Sequence, residues 1–182
     1  MDVRTEHTRK AIKDALAELL KEKNLENVSM SELARTAEVS RSTLYSSYAN
    51  VSMVYEQLVR DFLNEVSPMD SQLRCRGCQT SEKREPYCVA VRNTEKYSGV
   101  VRQRQYLSTM FSVYGSMKGD MNALAPYLHL GIDEQSALDL VRFQITGCHA
   151  LATMSEDNEP WERKKQLIDT FIAGGMRAVR NG

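Results

Sequence analysis

Residues 28–48 read VSMSELARTAEVSRSTLYSSY. Ser29 followed by Glu32 is a capping box: the Ser hydroxyl takes an orphan amide of the first turn while the Glu reaches back. Leu33, Ala34 and Ala37 then form a short apolar stripe. Glu38 and Val39 make a tight turn, Ser40 offers a second N-cap, and Arg41 to Ser47 form a second short helix. The pattern is a helix-turn-helix. Its second helix carries Arg41, Ser42, Thr43, Tyr45 and Ser46, with Tyr48 just beyond its end. One cation, a phenol and short hydroxyls are side chains that reach phosphates and base edges from a helix lying in a major groove.

Working outward, a long first helix is expected from about Thr5 to Lys23, with Ile12, Leu16, Leu19 and Leu20 on one face. The first 66 residues resemble the N-terminal domain of TetR/AcrR-type transcriptional regulators. The resemblance is carried by Val28, Ser29, Leu33, Ala34, Ala37, Val39, Ser40, Thr43, Leu44, Tyr45 and Tyr48, all in register. It implies an all-α protein: a three-helix DNA-binding domain over residues 1–49, and a helical effector-binding and dimerisation domain over 50–182. It also implies a double-stranded DNA operator, a homodimer and a small-molecule effector as partners, in a protein acting as a repressor. Three positions depart from the family pattern. Asn24 stands where Gly is usual, and Asn is the next-best residue for a left-handed helix end. Glu38 replaces the turn Gly, so a residue with a Cβ must make that turn. Val51 replaces a Lys that would touch a phosphate.

The chain has 182 residues with 24 basic and 24 acidic side chains, so its formal charge names no partner. The head is equally balanced: Arg4, Arg9, Lys10, Lys13, Lys21, Lys23, Arg35 and Arg41 face an equal number of acids within residues 1–50. DNA binding draws strength from phosphate neutralisation, so such a head should bind more weakly than a strongly basic one. No apolar run is long enough for a bilayer, and MDVRTEHTRK lacks an apolar leader core, which together predict a cytoplasmic protein with no membrane partner.

Beyond the head, Tyr55, Leu58, Val59, Phe62 and Val66 predict a long amphipathic helix starting near Asn50 and ending at Ser67-Pro68. Residues 67–86 read as a loop. Further helices are expected near 87–98, 100–116, 119–129, 133–155 and 159–180, with Asp133 and Asn158 as caps. The resemblance places an effector pocket in the middle of the chain, and Tyr97, Tyr106, Met110, Tyr114, Met117 and Tyr127 are its candidate lining. Met and Tyr suit an adaptable apolar cavity with hydroxyl handles, although the same residues at helical spacing serve equally as plain core. Arg92, Arg102, Arg104 and Lys96 could clamp an anion or form a solvated face.

The last two expected helices carry mid-helix glycines, Gly147 and Gly174-Gly175. Each costs about 1 kcal/mol against Ala, and a close backbone approach is a reason to tolerate it. The resemblance makes these helices the dimer seam, through Val141, Ile145, Gly147 and Cys148 in one and Ile168, Phe171, Ile172 and Gly175 in the other. Packing of the same faces within one chain is the alternative.

No nucleotide-binding or nucleophile motif is present, so no catalytic residue and no cofactor are assigned. His7, His129 and His149 lie far apart. Cys75 and Cys78 form a lone C-x-x-C, with Cys88 and Cys148 elsewhere. A structural zinc wants four ligands, so no metal site is assigned. A thiol- or metal-sensing regulator using Cys75 and Cys78 is one alternative function. A helical binding protein that has lost DNA contact is another.

Overall fold

Ile12, Leu16 and Leu20 fall one turn or a little more apart along α1 (Val3–Glu22), and all three are buried. That periodicity creates one apolar face, and burying it drives the head to assemble. A computed structural model describes residues 3–66, 87–116, 125–154 and 160–181. Among them every regular element is helical. After α1 come a 3-10 turn (Leu25–Asn27), α2 (Met30–Thr36), α3 (Arg41–Ser47) and α4 (Val51–Glu65). Then follow α5 (Tyr87–Asn93), the single turn α6 (Ser98–Val101) and α7 (Tyr106–Ser116). The chain closes with the single turn α8 (Ala125–Leu128), α9 (Glu134–Met154) and α10 (Trp161–Asn181).

The chain divides into two compact units. The first is Met1–Asn64 with Thr94–Ser116, and the second is Glu65–Asn93 with Met117–Gly182. Compactness thus groups α4, α6 and α7 with the helix-turn-helix. In the first unit Leu33, Leu44, Val54, Leu58 and Val59 complete the core around α1. Phe62 of α4 packs its ring against Tyr97 (centroids 5.3 Å apart) and Tyr106 (6.4 Å), within the range of favourable aromatic pairs. The Tyr55 hydroxyl donates to the Val100 carbonyl at 3.0 Å, and burial raises its pKa. Lys13 and Asp61 tie α1 to α4 through a half-buried ion pair.

In the second unit α5 packs on α9. The buried Tyr87 hydroxyl and His149 Nδ1 lie 3.0 Å apart, so His149 is a packed, hydrogen-bonded histidine. The Arg92 guanidinium lies 5.3 Å from the centre of the Trp161 ring, a cation–π contact at the start of α10. Asp133 caps α9 as expected: its carboxylate accepts from the Ser136 amide at 3.0 Å and the Ser136 hydroxyl at 2.6 Å. Those two bonds hold its pKa below the ordinary value, the hydroxyl contributing most.

Several expected boundaries move. The helix expected over 87–98 stops at Asn93, because the Thr94 hydroxyl captures the Tyr97 amide (3.1 Å) in a local turn. The helix expected over 100–116 is two pieces, broken at 102–105 around the buried Gln103. The Asn158 cap and residues 67–86, with Cys75 and Cys78, lie outside the described residues. Asn24 is extended (φ −74°, ψ 148°) and does not make the left-handed helix end read from the sequence. The carbonyls of Leu20 and Lys23 at that end are met instead by the Gln103 side chain.

Candidate nucleic-acid interface

Both helices of the helix-turn-helix start on a hydroxyl. Ser29 Oγ accepts the Glu32 amide at 3.1 Å and Ser40 Oγ accepts the Thr43 amide at 3.0 Å. The Glu32 side chain takes Lys23 Nζ at 2.7 Å. That bond is the largest reason its carboxyl lies below the ordinary value; the smallest is the Ser29 backbone amide, the second half of the capping box. The turn between the helices is made by Glu38 at φ 54°. The Val39 amide reaches back to Ala34 O (3.0 Å) and the Glu38 amide to Arg35 O (3.2 Å), the paired bonds of a Schellman end. A side chain therefore does occupy the left-handed position usually given to Gly.

This geometry turns one face of α3 outward. Arg41, Ser42, Tyr45 and Ser46 are exposed, Tyr45 by 50%, and Leu44 alone anchors the helix to the core. The hydroxyls are already engaged locally. Ser40 Oγ lies 2.8 Å from Ser42 Oγ and 2.7 Å from Thr43 Oγ1, and Ser46 Oγ donates to the Thr43 carbonyl at 2.8 Å. Among the described residues Arg41 and the Tyr45 hydroxyl have no protein partner, so both present uncommitted donors to a ligand. Tyr48 is different: it is buried, and burial is the main reason its pKa is raised, opposed by Arg9 and aided by Asp61. Its ring packs the end of α3 and lines an open groove of about 540 Å³. That groove mixes Arg9, Lys10, Lys13 and Arg60 with Glu6 and Glu56.

Residues 12–50 match the family model described as bacterial regulatory proteins, tetR family. This is a TetR-family DNA-binding head. The match spans the C-terminal half of α1, the helix-turn-helix and the residue before α4. A search of curated proteins found no match to the chain. Among solved structures the chain is similar to a TetR from Acinetobacter baumannii AYE, 16% identical over 100% of this chain and 96% of that one, with a TM-score of 0.45. It is also similar to a TetR family repressor, AlkX, from Dietzia sp. strain DQ12-45-1b, 20% identical over 94% of this chain and 97% of that one, with a TM-score of 0.42.

Outside the TetR-family head, the expected residues fall into separate groups. Tyr97, Tyr106 and Met110 are buried in the first unit, and Tyr127 is buried in the second. The side chains of Tyr114 and Met117 lie outside the described residues. The Tyr127 hydroxyl donates to Gln144 Oε1, and its pKa is pushed up to about 12, first by burial and then by Cys148. Among the described residues the Gln144 amide nitrogen has no hydrogen-bond partner although it is buried. A Gln inside an apolar helix face is the sequence sign of this polar site. Cys88 and Cys148 are buried, and among the described residues no group of three or more His, Cys, Asp or Glu could hold a metal ion.

On α9 the structure separates residues that the sequence grouped together. Val141, Ile145 and Cys148 are buried within the single chain. Gly147 lies on an exposed face between Leu140, Phe143, Leu151 and Met154, with Phe143 71% exposed. On α10, Leu167, Phe171 (71% exposed) and Gly175 line up, with Ile168 and Ile172 half-buried at the edge. A helix with two apolar faces shows one blended pattern in sequence, and only packing tells which face the chain itself covers.

Proposed function

We propose that this DNA-binding regulator is a homodimeric, cytoplasmic repressor that a small molecule releases from its operator. The observation that carries the DNA contact is the outward face of α3, where Arg41 and Tyr45 have donors uncommitted to the protein. Arg41 neutralises a phosphate or takes a guanine edge; Tyr45 reaches a phosphate or packs on a thymine methyl. Ser42, Thr43 and Ser46 contribute by close fit, since their hydroxyls are engaged in local hydrogen bonds along α3. Tyr48 supports the helix from behind. Residues 1–49 make the DNA contact, and residues 50–182 bind effector and dimerise.

The seam follows the exposed stripes: Leu140, Phe143, Gly147, Leu151 and Met154 on α9, with Leu167, Phe171 and Gly175 on α10, flanked by Ile168 and Ile172. Exposed apolar stripes on two long helices favour burial against a second copy. Two-fold pairing then sets two α3 helices on successive major grooves. Val141, Ile145 and Cys148 back this seam from inside. Effector binding falls to the aromatic and Met residues of the middle segment, Tyr97, Tyr106, Met110, Tyr114 and Met117, and to Tyr127, whose partner Gln144 offers an amide donor. An effector that binds one arrangement of the heads better shifts the population and weakens operator affinity.

The test is selection of duplexes from a random pool by the purified protein, followed by titration at several salt concentrations. A two-fold symmetric consensus with a falling log K against log salt supports the reading. Enrichment of no sequence, by a dimer that is folded, refutes it.

A further inference from the structure

Gln103 is only 7% exposed, yet it is polar and belongs to no helix. Its side chain reaches the end of α1 from 78 to 83 positions away in sequence. The amide oxygen accepts the Leu25 N–H at 2.9 Å. The amide nitrogen donates to the Gly99 carbonyl at 3.0 Å, and to the Leu20 and Lys23 carbonyls at 3.4 Å each. Three carbonyls on one side and one N–H on the other leave a single sensible orientation for the amide. Leu20 and Lys23 are among the orphan acceptors that every helix end presents. Leu25 opens the 3-10 turn that leads to α2.

Gln103 therefore does the work that a left-handed Gly or Asn does at other helix ends, which explains the extended backbone of Asn24. The turn that carries it is seated closely. A Cβ on Gly99 would lie 2.4 Å from the Leu20 carbonyl carbon and 2.5 Å from the Lys21 nitrogen. The neighbouring Val100 carbonyl is held by Tyr55 of α4. The stretch that supplies Gly99 and Gln103, Thr94–Ser116, is joined to the second unit at both of its ends.

We propose that Gln103 is a positioning residue for DNA binding: it holds the corner between α1 and the helix-turn-helix, making the pose of α3 depend on the 94–116 stretch. The inference rests on the DNA-binding reading above and adds a residue outside the helix-turn-helix on which that binding depends. With the amide in place, the corner, the Ser29 cap and the Lys23–Glu32 ion pair form one rigid path to α2. Withdraw it, and Leu25 loses its acceptor while two helix-end carbonyls lose their donor. A buried polar group left unpaired is costly, so the corner then samples other arrangements.

The experiment uses the full chain, with Gln103→Leu and Gln103→Glu, a duplex selected from a random pool by the parent, and amide hydrogen exchange on the free protein. In Gln103→Leu the Leu25 amide should exchange about tenfold faster or more, with loosened protection across 29–37 and unchanged protection at Ile12 and Val59. Affinity for the duplex should fall by about tenfold. Gln103→Glu keeps the acceptor and loses the donor, so near about pH 8 its carboxylate faces three carbonyls and binding is weak. Burial raises that carboxyl's pKa, so towards about pH 5 it protonates, regains an O–H donor, and binding recovers relative to the parent at the same pH. Recovery on acidification of one sample separates positioning from mere misfolding, and it stands even if the Leu variant fails to fold. Duplex affinity of Gln103→Glu within twofold of the parent at both pH values would overturn the proposal. So would a freed Leu25 amide with protection across 29–37 unaltered. If the parent enriches no duplex, the DNA-binding reading fails, and the exchange measurements still decide whether Gln103 holds the corner.

Discussion

Gly99→Ala should be among the most damaging single-atom-scale changes in the first unit. The added methyl would meet the Leu20 carbonyl carbon at 2.4 Å, the Lys21 nitrogen at 2.5 Å and the Leu20 oxygen at 2.6 Å. Comfortable carbon contacts begin near about 3.5 Å, so α6 must withdraw by roughly 1 Å. The obstacle is helix backbone, which no rotamer change can move aside. Overpacking alone costs about 1–3 kcal/mol. Withdrawal also stretches the Gln103 bonds to Leu20 and Lys23, which at 3.4 Å are already long, and leaves buried polar groups unpaired for about 1–3 kcal/mol more. Against this stands about 1 kcal/mol of helix propensity gained by Ala over Gly. The net is about 3 kcal/mol of destabilisation, or a melting point lower by roughly 6–12 °C at about 2–4 °C per kcal/mol for a chain of this size. Thermal unfolding followed by circular dichroism reads it directly. A variant melting within about 2 °C of the parent would show that α6 does not approach α1 in this way.

Glu38→Gly should stabilise the head by about 0.5–1 kcal/mol, because Glu38 holds φ 54° where a Cβ is penalised; a lower melting point would refute that reading of the turn. Phe143→Glu and Phe171→Glu should leave the single chain folded, since both rings are exposed in it, and should shift sedimentation at micromolar concentration from dimer to monomer. Two dimeric variants would move the seam off these stripes. Arg41→Gln should weaken duplex binding and lower the slope of log K against log salt by about 0.9 if Arg41 neutralises one phosphate; an unchanged slope assigns it a different role. The Glu32 carboxyl is held low chiefly by Lys23, so its contribution is present above the ordinary value of 4.5 and is lost as pH falls through the lower folded value. Glu32→Gln should therefore flatten the acid-side fall in melting temperature. A parallel curve would mean that the pair is silent.

The head was legible in sequence because its determinants are local. Ser29 and Ser40 cap the next three residues, Leu33 and Leu44 recur with the helical period, and Arg41 to Ser47 formed the expected helix. Caps and turns act over a few residues, so a short window contains the whole cause. Even the misfit at Glu38 announced itself, since a residue in a glycine position must take the left-handed conformation if the turn is kept. Asn24 did not follow the same logic. Its local preference lost to a partner some eighty positions away, and nothing near Asn24 reports that Gln103 exists.

The rest was decided by tertiary packing. In VRQRQ, Gln103 looks like one more surface polar residue between two arginines, and it proved to be among the buried ones. Val141 and Phe143 are both apolar and two positions apart on α9, yet one is buried in the chain and the other is exposed. Periodicity locates apolar positions on a helix, but the identity of what covers them is a property of the other elements. The sequence by itself determined an all-helical chain headed by a helix-turn-helix, because hydrogen bonding within helices and their caps is short-range. Which helix end is closed by which distant side chain, which apolar face stays open, and which stretch joins the head were settled only by the folded chain, because burial and polar satisfaction are shared between residues that meet in space.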